Sequence, residues 1–197
     1  MKLTFAVIFS IFSLIIYSPQ HDKIYVVETP IYTVTYSATK EQPIEVRYQV
    51  DTCDSGTVDR KGNFWIDKKY HTSDNKDYVD NVWDKGHMAP AGTFNCSREM
   101  MKTTFSYLNC ALQHQSLNRG PWKELERFER KLSESNGTVH VKIRIHFKDT
   151  PENWLSTGAL VPIGFTKTIL SNGEELKFYF PNTDVSGDNW ETFRIND

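Results

Sequence analysis

The sequence predicts an α+β domain in which an antiparallel sheet is flanked by helices. Three observations support this prediction. β-branched and aromatic residues alternate with polar ones over residues 24–51, and again, strictly, over residues 138–149. Residues 117–135 instead place apolar side chains at helical spacing. Because the 197 residues are 39% hydrophobic, they can bury one substantial core, and we expect one domain.

The first half of the chain predicts strands followed by a long loop. Two or three strands, interrupted at Pro30 and Pro43, begin the domain. Residues 52–84 are polar and rich in turn-forming residues, which predicts a loop of the kind that usually carries function or is disordered. Residues 98–108 then predict a short helix leading into a strand at residues 105–113.

The clearest predicted helix begins at Gly120-Pro121, since proline is tolerated in the first turn of a helix. The sequence Asn-Gly-Thr at 136–138 ends it. At 100° per residue, Glu129 falls on the apolar stripe, which predicts a buried carboxylate that needs a partner. The stripe itself recurs at three-to-four spacing: Trp122, Leu125, Phe128 and Leu132.

Residues 159–170 and 176–182, joined by a turn, predict a hairpin near the end of the chain.

The predicted strand at residues 138–149 has one apolar and one basic face. Two interpretations of the basic face stay open: a solvated sheet surface, which is the commoner case, and a stripe that steers phosphates. The basic positions are His140, Lys142, Arg144, His146 and Lys148.

Charge and cysteine content restrict the functional class only loosely. A formal charge of −2 excludes a protein that coats nucleic acid through bulk positive charge, but it allows local contact with a few phosphates. Cys53, Cys96 and Cys110 fit either one disulfide with one free thiol in an oxidising compartment, or three unpaired thiols. The pairing stays open.

The N-terminal residues predict a leader segment. One lysine precedes an apolar run from Leu3 to Tyr17, which is shorter than the roughly 20 residues that span a bilayer. We therefore predict a signal peptide over residues 1–20, a domain over residues 21–197 and a secreted protein. Because no convincing cleavage site follows the run, a membrane-tethered or organelle-resident protein is the alternative.

Several motifs occur in a distinctive order between residues 84 and 132. They are Asp-Lys-Gly-His at 84–87, Leu-Asn-x-x-x-Gln at 108–113, Leu-Asn-x-Gly-x-Trp-x-x-Leu-Glu at 117–126 and Glu-Arg-Lys-Leu at 129–132. This order resembles the DNA/RNA non-specific endonuclease family, which includes endonuclease G and the secreted sugar-non-specific nucleases. The resemblance covers most of residues 30–185 and implies a ββα-metal (His-Me finger) fold.

The same resemblance implies an activity. We expect a metal-dependent endonuclease that hydrolyses phosphodiester bonds of DNA and RNA with little sequence specificity, and that forms a homodimer as such enzymes often do. Two features depart from the family pattern: Lys85 stands where an arginine is usual, and the chain ends without the closing helical segment of many members. The alternative is therefore a secreted binding or inhibitor module that keeps the fold without catalysis.

His87 is the expected general base. The resemblance assigns this role, and the near-neutral pKa of an ordinary histidine suits it independently. Asp84 either orients His87 or ties down the loop, and the sequence does not separate these roles. By resemblance, Asn109 holds the site through hydrogen bonds. Arg60 would clamp the phosphate, with Arg47 as a competing candidate for that position.

The helix side of the expected site carries the metal. By resemblance, Asn118 is the protein ligand to a hydrated Mg²⁺, for which Mn²⁺ could substitute; hard oxygen donors suit such ions. Glu126 would order the water around the metal, and Arg130 would face the scissile phosphate. The i,i+4 spacing places these two side chains on one flank of the helix. No motif indicates an organic cofactor.

Overall fold

The structure, a computed structural model, describes residues 22–53 and 57–196. The strands are β1 (Ile24–Glu28), β2 (Tyr32–Ser37), β3 (Gln42–Val50), β4 (Trp83–His87), β5 (Cys110–His114), β6 (Val139–His146), β7 (Gly164–Ser171), β8 (Glu174–Pro181) and β9 (Arg194–Ile195). The α-helices are α1 (Arg98–Thr104), α2 (Gln115–Arg119) and α3 (Pro121–Asn136), and short 3₁₀ helices cover Asn75–Tyr78, Tyr107–Asn109, Pro151–Asn153 and Trp190–Phe193.

An antiparallel sheet with strand order β1-β2-β3-β6-β7-β8-β9 forms the centre of the described part of the chain. Apolar residues of β3 and β6, such as Val46 and Val141, point to one side of it and are almost fully buried. There they share a core with Trp122 and Leu125 of α3. The predicted α+β class with a central antiparallel sheet is confirmed.

A separate pair of strands, β4 and β5, carries the Asp-Lys-Gly-His motif. The two strands are antiparallel, with His87 opposite Cys110 and Asp84 opposite Gln113. β5 leads directly into α2, and α3 follows after Gly120. This hairpin-like pair and α3 make up the ββα unit that the motif order predicts. Residues 57–82, as predicted, contain little regular structure.

Three local details differ from the sequence-based expectations. Pro43 lies inside β3, opposite Tyr36, where the register shifts, because a bulge tolerates a residue that cannot donate to the ladder. β5 begins at Cys110 rather than Phe105, since a 3₁₀ helix covers Tyr107–Asn109. The five-residue helix α2 was not predicted, because it is too short to show helical periodicity.

Cys53 and Cys96 form a disulfide, while Cys110 is free and buried. The predicted leader, residues 1–20, lies outside the described residues. Within residues 22–53 and 57–196, no helix is long and apolar enough to cross a membrane.

Candidate active site

His87 ends β4 in an aromatic enclosure. Its side chain is 7% exposed, and the centroids of Phe64 and Phe105 lie 4.7 Å and 4.8 Å from that of the imidazole. Within the described residues, Nε2 is buried and has no hydrogen-bond partner. Burial lowers the pKa of His87 to about 3, and the positive charge of Arg60 acts in the same direction.

The imidazole is therefore neutral at physiological pH and able to accept a proton. The expectation of a near-neutral pKa is wrong for the free protein, because the surrounding rings remove the solvent that would stabilise the imidazolium. Phe64 and Phe105 were not singled out from the sequence. They lie outside the motifs, and an aromatic residue alone does not indicate which side chain it covers.

Asn109 fixes the backbone that follows His87. Its Oδ1 accepts from the Ala89 N–H at 2.8 Å, and its Nδ2 donates to the carbonyls of Ala89 and Thr104 at 2.8 Å and 2.9 Å. The Met88 N–H also donates to the Asn109 carbonyl at 3.0 Å. Since these bonds use the amide fully and Asn109 is completely buried, the residue positions the strand end rather than contacting substrate.

Asp84 connects the motif strand to Asn118. Asn118 Nδ2 donates to Asp84 Oδ2 at 2.8 Å, and Arg119 donates to both carboxylate oxygens at 2.7 Å and 2.8 Å. Although burial alone would raise it, these hydrogen bonds hold the pKa of Asp84 below its usual value. Asp84 thus ties β4 to α2 through Asn118 and Arg119. The amide group of Asn118 is oriented so that Oδ1 is the atom available to a cation.

Glu126 and Arg130 lie one turn apart on α3. Burial raises the pKa of Glu126 to about 7; the cations Lys167, Arg130 and Arg60 act against this rise. Arg130 has a buried Nη1 without a hydrogen-bond partner in the described part of the chain. That nitrogen lies 3.5 Å from where a Cβ would stand on Gly92, so Arg130 reaches the turn that follows His87.

A buried ion pair lies beneath this flank of α3. Glu129 is completely buried; it accepts from Lys167 Nζ at 2.7 Å and from the Tyr48 hydroxyl at 2.8 Å. Lys167 is also completely buried, with its ammonium 4.0 Å from the centroid of the Trp122 ring. The predicted buried carboxylate is confirmed, and its partner lies in β7, a pairing that no local sequence pattern indicates.

Arg60 and Arg47 have different surroundings. The Arg60 guanidinium lies 5.9 Å from the ring centroid of Phe105, and its charge acts on both His87 and Glu126. Arg47 is instead on the opposite side of the sheet, where it pairs with Glu45 at 2.6 Å. Arg47 as the competing phosphate clamp is therefore wrong, because strand alternation directs it away from the site.

Lys85 occupies the position at which the family usually has arginine. Its Nζ donates to Asn75 Oδ1 at 2.5 Å. The same ammonium lies 5.7 Å to 5.9 Å from the ring centroids of Phe64, Tyr78 and Tyr107. Lys85 thus packs the loop against the aromatic enclosure of His87 by cation–π contact.

The donor atoms at the site suit a hydrated hard cation. Among residues 22–53 and 57–196, no group of three or more His, Cys, Asp or Glu side chains could hold a metal ion. The Asn118 amide oxygen and the Glu126 carboxylate are oxygen donors, and few protein ligands suffice for an ion that keeps several waters. The residues therefore fit a weakly held, oxygen-ligated ion.

Residues 15–196 match the profile of the family described as DNA/RNA non-specific endonuclease. The chain belongs to this family. It is 40% identical over 70 residues to "Nuclease EXOG, mitochondrial" of Danio rerio, and 38% identical over 72 residues to "Endonuclease G, mitochondrial" of Homo sapiens. Each alignment covers 36% of this chain, but only 20% and 24% of the respective relatives.

The fold comparison covers nearly the whole chain. A solved structure titled "Crystal structure of the EndoG/EndoGI complex: Mechanism of EndoG inhibition" aligns with a TM-score of 0.75 and 24% identity, over 91% of this chain and 82% of that one. The predicted ββα-metal fold of the DNA/RNA non-specific endonuclease family is confirmed. The prediction of secretion is contradicted, because the animal relatives are named as mitochondrial nucleases.

Proposed function

We propose that residues 21–197 form one catalytic domain, a metal-dependent endonuclease that hydrolyses DNA and RNA with little sequence specificity. One observation supports this most directly: a buried, neutral histidine, His87, ends the motif strand, and the positive charge of Arg60 acts on it. A base next to a permanent cation is suited to act on an anionic substrate such as a phosphodiester. Family membership supports the substrate class.

His87 acts as the general base that removes a proton from the attacking water. In the free protein its pKa of about 3 makes it a weak base. A bound phosphodiester brings a negative charge that offsets the charge of Arg60, and this raises the pKa towards the range in which a base works well. Asn109 keeps the imidazole in place through the backbone of Met88 and Ala89.

Arg60 and Arg130 bind the phosphate oxygens. The buried, unpartnered Nη1 of Arg130 is a donor that a phosphate oxygen would satisfy. Permanently charged, planar guanidinium groups also stabilise the negative charge that develops in the transition state. Contacts of this kind reach the backbone of the substrate and carry no base information, which accounts for low sequence specificity.

Asn118 and Glu126 would hold the metal side of the site. Asn118, oriented by its hydrogen bond to Asp84, would offer Oδ1 to the ion, and the Glu126 carboxylate would bind water around it. A hydrated Mg²⁺, or Mn²⁺ in its place, supplies charge neutralisation at the phosphate and an acidic water when bound. A cation bound there would also lower the pKa of Glu126 from about 7 and so favour its ionised carboxylate.

A plasmid-nicking assay tests the proposal. We expect cleavage with Mg²⁺, loss of cleavage with chelator and recovery when Mn²⁺ is added. His87→Ala should abolish cleavage, whereas the matched variant His71→Ala should retain it, because His71 is an exposed side chain that pairs with Glu41. Binding of plasmid without cleavage by the unmodified protein would instead identify a non-catalytic module. The homodimer is a further prediction, which sedimentation velocity checks.

A further inference from the structure

The side of the central sheet that faces away from α3 is exposed and basic. Strand alternation in β6 leaves Val141 and Ile143 buried in the core and directs Lys142 and Arg144 outwards. In β3 the same alternation directs Arg47 outwards. We define the outer basic face as Arg47 of β3 together with His140, Lys142 and Arg144 of β6.

The cations of this face outnumber the carboxylates that pair with them among the described residues. Arg47 and Lys142 are direct cross-strand partners, and like charges in this arrangement destabilise a sheet. The Glu45 carboxylate forms ion pairs with two arginines, with Arg47 at 2.6 Å and with Arg144 at 3.5 Å. Lys142 makes no ion pair or hydrogen bond with any residue in the described ranges. The arrangement costs stability unless an anion binds there.

A groove of about 600 Å³ runs along this face. Besides Arg47, His140 and Lys142, its lining includes hydroxyl and amide groups that can donate to phosphate oxygens, two acids, and apolar side chains such as Ile31, Phe94, Met100 and Leu170. The outward side chains of β3 and β6 that line the groove are polar or charged: Arg47, Gln49, His140 and Lys142. The hydroxyl, amide and acidic groups of the lining include those of Thr29, Thr33, Gln49, Thr168, Asp51 and Glu175.

We propose that the outer basic face binds the phosphate backbone of nucleic acid at a segment other than the one being cleaved. The identity of this ligand rests on the proposed nuclease function. Met88 and Leu117, which adjoin His87 and Asn118 in sequence, pack in the same core as Val46 and Val141, whereas Arg47 and Lys142 point to the opposite side of the sheet. A long polymer can bind both the active site and this face, and the second contact raises the effective concentration of substrate at the first.

Lys142→Glu tests this proposal, with Lys131→Glu as the matched control. Both residues are exposed lysines, but Lys131 lies on the solvent side of α3. Each change is introduced into the full-length His87→Ala protein, which should bind without cleaving. Fluorescence anisotropy then measures the affinity for a 30-base-pair DNA duplex over a series of salt concentrations, with Mg²⁺ present. The same changes in the otherwise unmodified protein are assayed for cleavage of a tetranucleotide.

Lys142→Glu should weaken duplex binding about tenfold and reduce the slope of log affinity against log salt by about one, as expected for one lost phosphate contact. Lys131→Glu should change neither, and both variants should cleave the tetranucleotide at the normal rate. Equal effects of the two variants on the slope would overturn the proposal, as would a change in sedimentation of Lys142→Glu without DNA. If no substrate is cleaved, the nuclease proposal fails while the anisotropy still reports on this face.

Discussion

Acidification from pH 7 to pH 5 should remove a stabilising contribution that His87 makes, whereas the raised pKa of Glu126 acts on stability in the opposite direction. The ring is buried and its pKa is lowered to about 3 in the folded state, while an unfolded histidine has its ordinary pKa of 6.5. Between these values the unfolded chain binds a proton that the folded protein does not. Above the unfolded pKa of 6.5, His87 therefore contributes its full stabilisation of the folded state. This contribution is lost as the pH falls below 6.5.

The expected loss follows from this linkage. At pH 5 an unfolded histidine is almost fully protonated, whereas a folded group with a pKa of about 3 remains neutral. The difference lowers the free energy of unfolding by about 2 kcal/mol between pH 7 and pH 5. Because pH 5 lies well above the folded pKa, this loss depends mainly on the unfolded pKa and only weakly on the depth of burial.

Urea denaturation at the two pH values measures the effect. His87→Gln, which cannot titrate, should lose about 2 kcal/mol less than the unmodified protein on acidification. An equal loss for His87→Gln and the unmodified protein would refute the burial argument. A second readout is the NMR titration of the His87 ring, whose carbon shift should stay constant down to pH 5.

Three further predictions concern the metal side and the buried pair. Asn118→Ala should sharply reduce cleavage at limiting Mg²⁺ while the circular dichroism spectrum is unchanged; an unaltered rate would exclude a metal role. Asp84→Asn should weaken Mg²⁺ use about 10–100-fold, because it disturbs the orientation of a ligand, whereas Arg119→Ala, which removes an exposed ion pair, should have little effect in the same Mg²⁺ titration. Lys167→Met should lower the free energy of unfolding, measured by urea denaturation, by about 3–5 kcal/mol, because it leaves the buried Glu129 without its cation. The double variant with Glu129→Leu should recover much of this loss.

The sequence predicts the local elements of the site well because each one is encoded by consecutive residues. The proline at the first turn of α3 and the apolar stripe behind it set the helix, and the stripe also predicts that Glu129 is buried. Likewise, strict alternation predicts which side chains of β6 face outwards. These are properties of single elements, so the periodicity of one segment is sufficient to predict them.

The electrostatic properties of the site depend on contacts between distant segments and could not be predicted in this way. The low pKa of His87 results from enclosure by Phe64, from the long loop, and Phe105, which follows α1. Lys167 reaches Glu129 across 38 residues of sequence. An ordinary histidine pKa was the reasonable expectation from the motif alone, and it was wrong because burial is a property of the assembled fold.

The register of β3 links the proposed active site to the outer basic face. Tyr48 points inwards and donates to Glu129 beneath the catalytic flank of α3, while its neighbour Arg47 points outwards, opposite Lys142. A shift of one residue would exchange these two directions, placing an arginine in the core and a tyrosine on the basic face. The same alternation therefore buries Tyr48 beneath α3 and directs Arg47 to the opposite side of the sheet. For this reason the two surfaces can be tested separately by side-chain substitution, although one strand register maintains both.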